Sequence, residues 1–132
     1  MKPPITAKQI GDWGEAYAVH HLRRHGYTVK ERNWRYEKCE LDIIAATLCD
    51  IVFVEVKTRS YSPGELEYAK PPGNAVNAKK QRLTRLAARH YLLEHPTHKH
   101  PRMDVIEIWL EKSPEGRKKP RVLKINHIKG AY

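Results

Sequence analysis

The chain has 132 residues, which suits one compact domain (residues 1–132) and excludes a large multidomain enzyme. Lysine and arginine total 25 against 15 acidic residues, so the formal net charge is +10. That excess favours a polyanionic partner, most commonly nucleic acid, although a generally basic protein or an adaptor for an acidic protein is the alternative. Two cysteines without metal-ligand spacing favour a reducing cytoplasm, and no apolar stretch is long enough for a membrane span.

The first element in chain order is a helix that Thr6 caps and that stops at Gly26. Its buried stripe is predicted from residues at helical spacing, namely Ile10, Trp13, Gly14, Tyr17 and His21. A short strand at 27–29 follows, and polar residues 30–33 lead out of it.

Two further strands are predicted from Glu40 to Ala46 and from Ile51 to about Thr58. Val52, Val54 and Val56 alternate with Phe53, so the third strand has apolar residues on both faces. This pattern is typical of a central strand that is covered on both sides.

A long irregular stretch, predicted from Ser60 to Asn77, precedes a second helix that Asn77 caps and that ends near Glu94. Its apolar side is predicted to contain Leu83, Leu86, Ala87 and Tyr91. Arg82, Arg85 and Arg89 fall on a largely opposite stripe, where they either solvate the helix or follow a phosphate backbone.

The C-terminal part alternates from Arg102 to Leu110 as a fourth strand, turns at 113–116 and returns from Arg121 to Ile128 as an edge strand. The fold class is therefore α/β, with the order α-β-β-β-α-β, a central mixed sheet flanked by helices and an extra C-terminal edge strand.

The second and third strands carry charged residues that interrupt apolar runs. If these strands pair as a hairpin, alternation brings Asp42, Glu55 and Lys57 to one side of the sheet. Two carboxylates, with the Val56 carbonyl as a further oxygen ligand, suit Mg²⁺, and a neighbouring ammonium can assist phosphodiester hydrolysis. The alternative is a cross-strand salt bridge between Lys57 and one of the acids.

Several motifs in order resemble the YraN-like family of uncharacterised bacterial proteins, and through it the PD-(D/E)XK nucleases and archaeal Holliday-junction resolvases. The motifs are Gly11-Asp12-Trp13-Gly14-Glu15-Ala16, Asn33-Trp34-Arg35, Glu40-Leu41-Asp42-Ile43-Ile44-Ala45, Val52-Phe53-Val54-Glu55-Val56-Lys57-Thr58-Arg59, Lys80-Gln81-Arg82-Leu83, Ala87 with Tyr91, and Arg102-Met103-Asp104-Val105. Cys39 stands where the family usually has glycine.

The resemblance implies a restriction-endonuclease-like fold and a Mg²⁺- or Mn²⁺-dependent endonuclease that acts on DNA, branched or damaged DNA included. It implies that Asp42, Glu55 and Glu15 are metal ligands and that Lys57 is the catalytic lysine. It also allows a homodimer, since resolvase-like proteins often pair in order to cut two strands.

A basic surface is expected to contact the nucleic acid. Its candidate residues are Lys80, Gln81, Arg82, Arg85, Arg89, Arg35 and Arg59. The alternative function is a nucleic-acid-binding module that has the same fold but does not cut.

Overall fold

The structure is a computed structural model that describes residues 5–62, 76–112 and 119–132. Its elements in chain order are α1 (Ala7–Arg24), β1 (Thr28–Tyr36), β2 (Cys39–Ala46), β3 (Asp50–Tyr61), α2 (Ala78–Glu94), β4 (His100–Glu111) and β5 (Arg121–Ile128). The predicted α-β-β-β-α-β order and the extra C-terminal strand are confirmed. The predicted turn at 113–116 and most of the long irregular stretch lie outside the described residues.

The strands form one mixed sheet in the order β1-β2-β3-β4-β5. Neighbouring strands are antiparallel except β3 and β4, which run parallel along their whole length from Asp50↔His100 to Tyr61↔Glu111. The α2 helix is the crossover that a parallel pair requires. As predicted, β3 is central and β5 is an edge strand.

The two helices cover opposite faces of the sheet. On one face, α1 packs against Val52 and Val54 of β3 together with alternate residues of β4. On the other face, Ala87, Ala88 and Tyr91 of α2 pack around Phe53. The predicted burial of β3 on both faces is therefore confirmed.

Local sequence signals set both ends of α1. The Thr6 hydroxyl accepts a hydrogen bond from the Gln9 amide at 3.1 Å, while the Gln9 side chain accepts one from the Thr6 amide at 2.8 Å, which together make a capping box. Gly26 ends the helix with a φ of +86°, a conformation that side chains with a Cβ rarely adopt.

Three of the predicted element details are wrong. The strand predicted at 27–29 is Thr28–Tyr36, because backbone pairing with β2 holds its polar residues in an extended conformation. The third strand continues beyond Thr58 to Tyr61 along β4, so Ser60 and Tyr61, which we expected in the irregular stretch, belong to β3. In α2, Leu83 and Leu86 are 42% and 52% exposed, because smaller residues (Thr84, Ala87 and Ala88) form the helix face that contacts the sheet.

None of the described helices is long and apolar enough to span a bilayer.

Candidate active site

Asp42 lies where β2 and β3 separate. The two strands pair from Ala46↔Ile51 to Ile43↔Val54 and no further, although both continue. Oδ2 of Asp42 accepts a hydrogen bond from the Val56 amide at 2.8 Å, so the side chain replaces the backbone acceptor that β2 no longer provides. The carboxylate is thereby fixed at the fork between the two strands.

The strand alternation that we used to place Asp42 is interrupted at this residue. Ile43 packs with α1, whereas Leu41, two residues earlier, packs with α2. On the neighbouring strand, Asn33 has a φ of +52° between the pairs Arg32↔Ile43 and Trp34↔Leu41. Cys39 does not share this irregularity, since it is buried at the start of β2 without a positive φ.

Glu55 lies on the α2 side of the sheet, close to two ammonium groups. Its side chain is 10% exposed, and its Oε1 atom is 3.8 Å from Nζ of Lys57 and 3.8 Å from Nζ of Lys80. Lys80 comes from the first turn of α2, where its amide donates to the Asn77 cap at 2.9 Å. The sequence placed Lys80 on a nucleic-acid surface but gave no indication that it pairs with Glu55.

Glu15 approaches from α1, and a glycine beside it sets that approach. A Cβ on Gly14 would overlap the Thr58 side chain, so only glycine lets α1 lie this close to β3. Glu15 is 14% exposed, and its Oε1 atom is 3.5 Å from Nη2 of Arg32. That oxygen is buried and has no hydrogen-bond partner among the described residues.

All three carboxyl groups have raised pKa values. Burial raises the pKa of Glu55 to about 7, and the negative charge of Asp42 adds to the effect while Lys80 and Lys57 oppose it. Burial likewise raises the pKa of Asp42. The pKa of Glu15 is raised first by burial and then by the charge of Asp42. The site is therefore rich in oxygen ligands whose negative charge is incompletely compensated.

A cleft of about 630 Å³ opens beside Asp42 on the α1 side. Asp42, Glu15, Val56 and Arg59 line it, whereas Glu55 and Lys57 are not part of its lining. Among the described residues, no three Asp, Glu, His or Cys side chains converge closely enough to hold a metal ion by themselves. The structure thus brings Asp42 near Glu15 and near Glu55, but it does not gather the three predicted ligands into one cluster.

The remaining candidate nucleic-acid residues have varied surroundings. Nε2 of Gln81 donates a hydrogen bond to the Val76 carbonyl at 2.9 Å, which joins the first turn of α2 to the residues before it. Arg35 pairs with Glu40 at 3.0 Å on the β1–β2 hairpin, and Arg59 donates to the Thr58 carbonyl at 3.2 Å.

The three arginines of α2 are all exposed, as the helical stripe predicted. Arg85 lies over the ring of Tyr132, with 5.4 Å between its Cζ atom and the ring centroid. Of the residues predicted to form the basic surface, Lys80 alone pairs with Glu55.

Asp104, on β4, is the only fully buried acidic residue in the described part of the chain, and it lies near the C-terminal end of α1. The residue is fully buried and accepts hydrogen bonds from Nε and Nη2 of Arg102 at 2.9 and 2.8 Å, from Nε2 of His127 at 2.7 Å and from the Gly130 amide at 2.9 Å. Although burial alone would raise it, these hydrogen bonds lower the pKa of Asp104 to about 2. The sequence indicated this residue only as part of a motif.

Arg102 also donates to Asp50 at 3.0 Å and to the Tyr27 hydroxyl at 2.7 Å. The Asp104 cluster, as we call Asp104 with Arg102, His127, Asp50 and Tyr27, therefore ties the N-terminal part of the sheet to its last strand. Four hydrogen bonds from the protein occupy the Asp104 carboxylate, which is the arrangement expected of a structural ion pair.

The fold and the fork define the class to which the chain belongs: mixed α/β domains with an α-β-β-β-α-β core and buried acidic residues where two central strands diverge. Residues 14–108 match the family described as Uncharacterised protein family UPF0102. The chain belongs to this family.

Curated relatives extend the match to nearly the full length. A UPF0102 protein of Alkaliphilus oremlandii is 39% identical over 128 residues, which cover 95% of this chain and 98% of the relative. A UPF0102 protein of Caldicellulosiruptor bescii is 39% identical over 130 residues, covering 97% of this chain and all of the relative. One from Porphyromonas gingivalis is 37% identical, covering 92% of this chain and 82% of the relative.

Proposed function

We propose that this protein is a divalent-metal-dependent endonuclease that hydrolyses phosphodiester bonds in DNA. The observation that carries the proposal is the pair of partly buried acids where β2 and β3 separate. Asp42 is held by the Val56 amide, and Glu55 has a pKa of about 7 with two lysines within 3.8 Å. A buried acid with a strongly shifted pKa and specific charged partners is typical of functional sites.

The donor set fits Mg²⁺ or Mn²⁺. These ions prefer oxygen ligands and need only one or two carboxylates, because waters and substrate phosphates complete the coordination. Asp42 and Glu55 would hold the ion, with the Val56 carbonyl as a further oxygen. Glu15 does not converge with these two acids in the structure, so its Oε1 atom, which has no hydrogen-bond partner among the described residues, would have to move toward the ion in order to bind it. When bound, such an ion supplies positive charge that polarises a phosphate and lowers the pKa of water.

The lysines would act on the substrate phosphate. Lys57 and Lys80 approach the same oxygen of Glu55 from β3 and from α2, and their side chains are 31% and 38% exposed. A cation that neutralises Glu55 leaves both ammonium groups free to pair with the phosphate whose charge grows during hydrolysis. The net charge of +10 favours association with DNA.

The test is incubation of the purified protein with branched, single-stranded and duplex DNA in the presence of Mn²⁺. Cleavage is expected for the wild type and is expected to be lost in Asp42→Ala and in Lys57→Ala. Asp12→Ala is the matched control, since Asp12 lines the same cleft but is 68% exposed and pairs only weakly with Lys8 at 4.0 Å. Cleavage that survives in both site variants belongs to a contaminant or to another site, and the proposal then fails.

A second candidate is a nucleic-acid-binding module that does not cut. It is favoured by the finding that no three metal-ligating side chains converge among the described residues. Calorimetric titration with Mn²⁺ separates the candidates. An endonuclease gives heat that Asp42→Asn abolishes, whereas a binding module gives none in either protein and binds DNA with salt dependence but without metal dependence.

A further inference from the structure

A second cavity, of about 460 Å³, opens between α2, the start of β4 and the C-terminal residues. Its size lies within the roughly 300–1,000 Å³ of small-molecule sites. Phe53, Ala88 and Met103 contribute an apolar wall and are 1%, 4% and 9% exposed. Half-buried Leu92 and Tyr132 complete the apolar lining and are more accessible, so the cavity offers an apolar surface to a flat, weakly polar group.

The polar part of the cavity is basic. Arg85, Arg89, Arg102 and His100 line it, and none of its described lining residues is acidic. Arg102 is already bound to Asp104 and Asp50, so Arg85 and Arg89 are the guanidinium groups available to an incoming anion. The cleft beside Asp42 has the opposite character, because it is lined by several acids. An occupant that matches the second cavity carries both an apolar ring and a phosphate.

The helix that carries these arginines also carries Lys80, 3.8 Å from Glu55. Arg85 and Arg89 follow Lys80 by five and nine residues, which corresponds to about 8 Å and about 14 Å along the helix axis. Stacked nucleotides of one strand are spaced by about 3.4 Å. A strand whose phosphate lies at Lys80 therefore reaches the cavity within about four nucleotides.

We propose that this cavity holds one unpaired nucleotide of a DNA strand, with its base on the apolar wall and its phosphate between Arg85 and Arg89. The inference rests on the proposed function, since the same strand passes Lys80 and Glu55. A base that is paired and stacked in a duplex cannot enter this cavity without leaving the helix, whereas an unpaired base enters at little cost. The substrate class is accordingly DNA with unpaired nucleotides near the cut, such as flaps and branch points.

The experiment uses the full chain in EDTA, so that cleavage plays no part. The probe is a branched DNA that carries one 2-aminopurine in its unpaired arm, and the comparison probe carries the same base within the duplex. We expect a severalfold rise in 2-aminopurine emission on binding for the unpaired position and no rise for the paired one. Binding of both probes is followed independently by anisotropy.

Two variants and one control decide the outcome. Arg89→Met is expected to weaken binding of the branched probe about tenfold more than binding of the duplex and to abolish the emission change. Ala88→Met, which fills the cavity, should abolish the change as well. Arg82→Met removes the same charge from an exposed position of the same helix outside the cavity, and it should weaken both probes equally while the emission change persists.

The proposal is overturned if saturating protein leaves the emission of the unpaired probe unchanged, or if Arg89→Met behaves like Arg82→Met. Free mononucleotide that competes as well as the branched strand would mean a nucleotide site unrelated to DNA, which also overturns it. Loss of cleavage in Mn²⁺ with a normal emission change would refute the endonuclease proposal alone. A normal cleavage pattern without the emission change would refute the cavity alone.

Discussion

Asp104 and Glu55 are both buried carboxylates on adjacent strands of one sheet, yet their surroundings have opposite effects on their pKa values. Asp104 receives four hydrogen bonds and has a pKa of about 2. Glu55 has ammonium groups no closer than 3.8 Å and a pKa of about 7. A fully satisfied buried charge stabilises the fold, whereas an incompletely satisfied one is available to a ligand.

The largest effect on stability is expected at Asp104. Asp104→Asn leaves the partly buried Arg102 and His127 facing a neutral amide in place of a buried carboxylate, so the free energy of unfolding should fall by about 3–5 kcal/mol. Urea denaturation measures it. Glu94→Gln is the control, since the His90–Glu94 pair is exposed at the surface and should change stability by less than about 1 kcal/mol. Equal losses in both variants would contradict the structural role of the Asp104 cluster.

Asp42→Asn should preserve the fold and abolish function. The Asn carbonyl oxygen can still accept from the Val56 amide, but the charge that would hold a cation is gone. Cleavage should fall by roughly a hundredfold to a thousandfold, the usual cost of losing one electrostatic stabiliser. Rates in Mn²⁺ alongside thermal unfolding measure both properties. If Asp42→Asn lowers the unfolding temperature but leaves the cleavage rate unchanged, Asp42 has a structural role and is not part of an active site.

Glu55→Gln should stabilise the protein at high pH. Because the pKa of Glu55 is raised from 4.5 to about 7 in the folded state, the folded protein binds more protons than the unfolded chain in that window. Wild-type stability therefore falls as pH rises from 4.5 through 7, and the neutral amide removes this loss, which is about 3 kcal/mol at pH 8.

The contribution of Asp104 has the opposite sign. Its stabilisation is present above pH 3.8 and is lost as pH falls toward 2.

Urea denaturation of the wild type and Glu55→Gln at pH 5 and pH 8 tests the predicted pH dependence at Glu55. Equal free energies of unfolding of the two proteins at pH 8 would show that ionisation of Glu55 does not destabilise the folded state.

The smallest effect is expected from the two lysines, because both are partly exposed and their ammonium groups come no closer to Glu55 than 3.8 Å. Either Lys57→Met or Lys80→Met should raise the pKa of Glu55 further, since each ammonium lowers it in the wild type. Carboxyl NMR titration of the two variants measures it. Added Mg²⁺ should lower the pKa of Glu55 in the wild type, and a pKa that Mg²⁺ does not move would argue against a metal at this acid.

Much of the fold could be predicted because its signals are local. The capping residues Thr6 and Asn77 mark the starts of both helices, and alternation defines β5 from Arg121 to Ile128. The length of β1 could not be predicted, since its polar residues are extended only because β2 pairs with them. Leu83 and Leu86 were misplaced because small residues, which permit close approach to the sheet, decide which face of α2 is buried.

Asp42, Glu55 and Lys57 were proposed as site residues from two strand motifs, and this assignment stays a prediction, but their relative placement could not be predicted. The position of Asp42 depends on where the pairing between β2 and β3 stops. Lys80 lies near Glu55 because α2 crosses over the sheet, although the two residues are distant in sequence. Arg102 is two residues from Asp104, but the other partners of this pair are remote in sequence: His127 and Gly130 donate to Asp104, and Arg102 donates to Asp50 and Tyr27. Contacts of this kind arise from tertiary packing and leave no local pattern.

Because the Val56 amide donates a hydrogen bond to Asp42, hydrogen exchange at this amide depends on the position of the Asp42 carboxylate. Pairing with β4 on the other edge of β3 holds this part of the strand in position. The strand therefore does not need Asp42, whereas the hydrogen bond of the Val56 amide does. Isotope exchange at this single amide should therefore accelerate when the Asp42 carboxylate is removed or drawn toward a cation, while neighbouring amides of β3 remain protected. The occupancy of the fork can thus be read in solution without substrate and without a label on the nucleic acid.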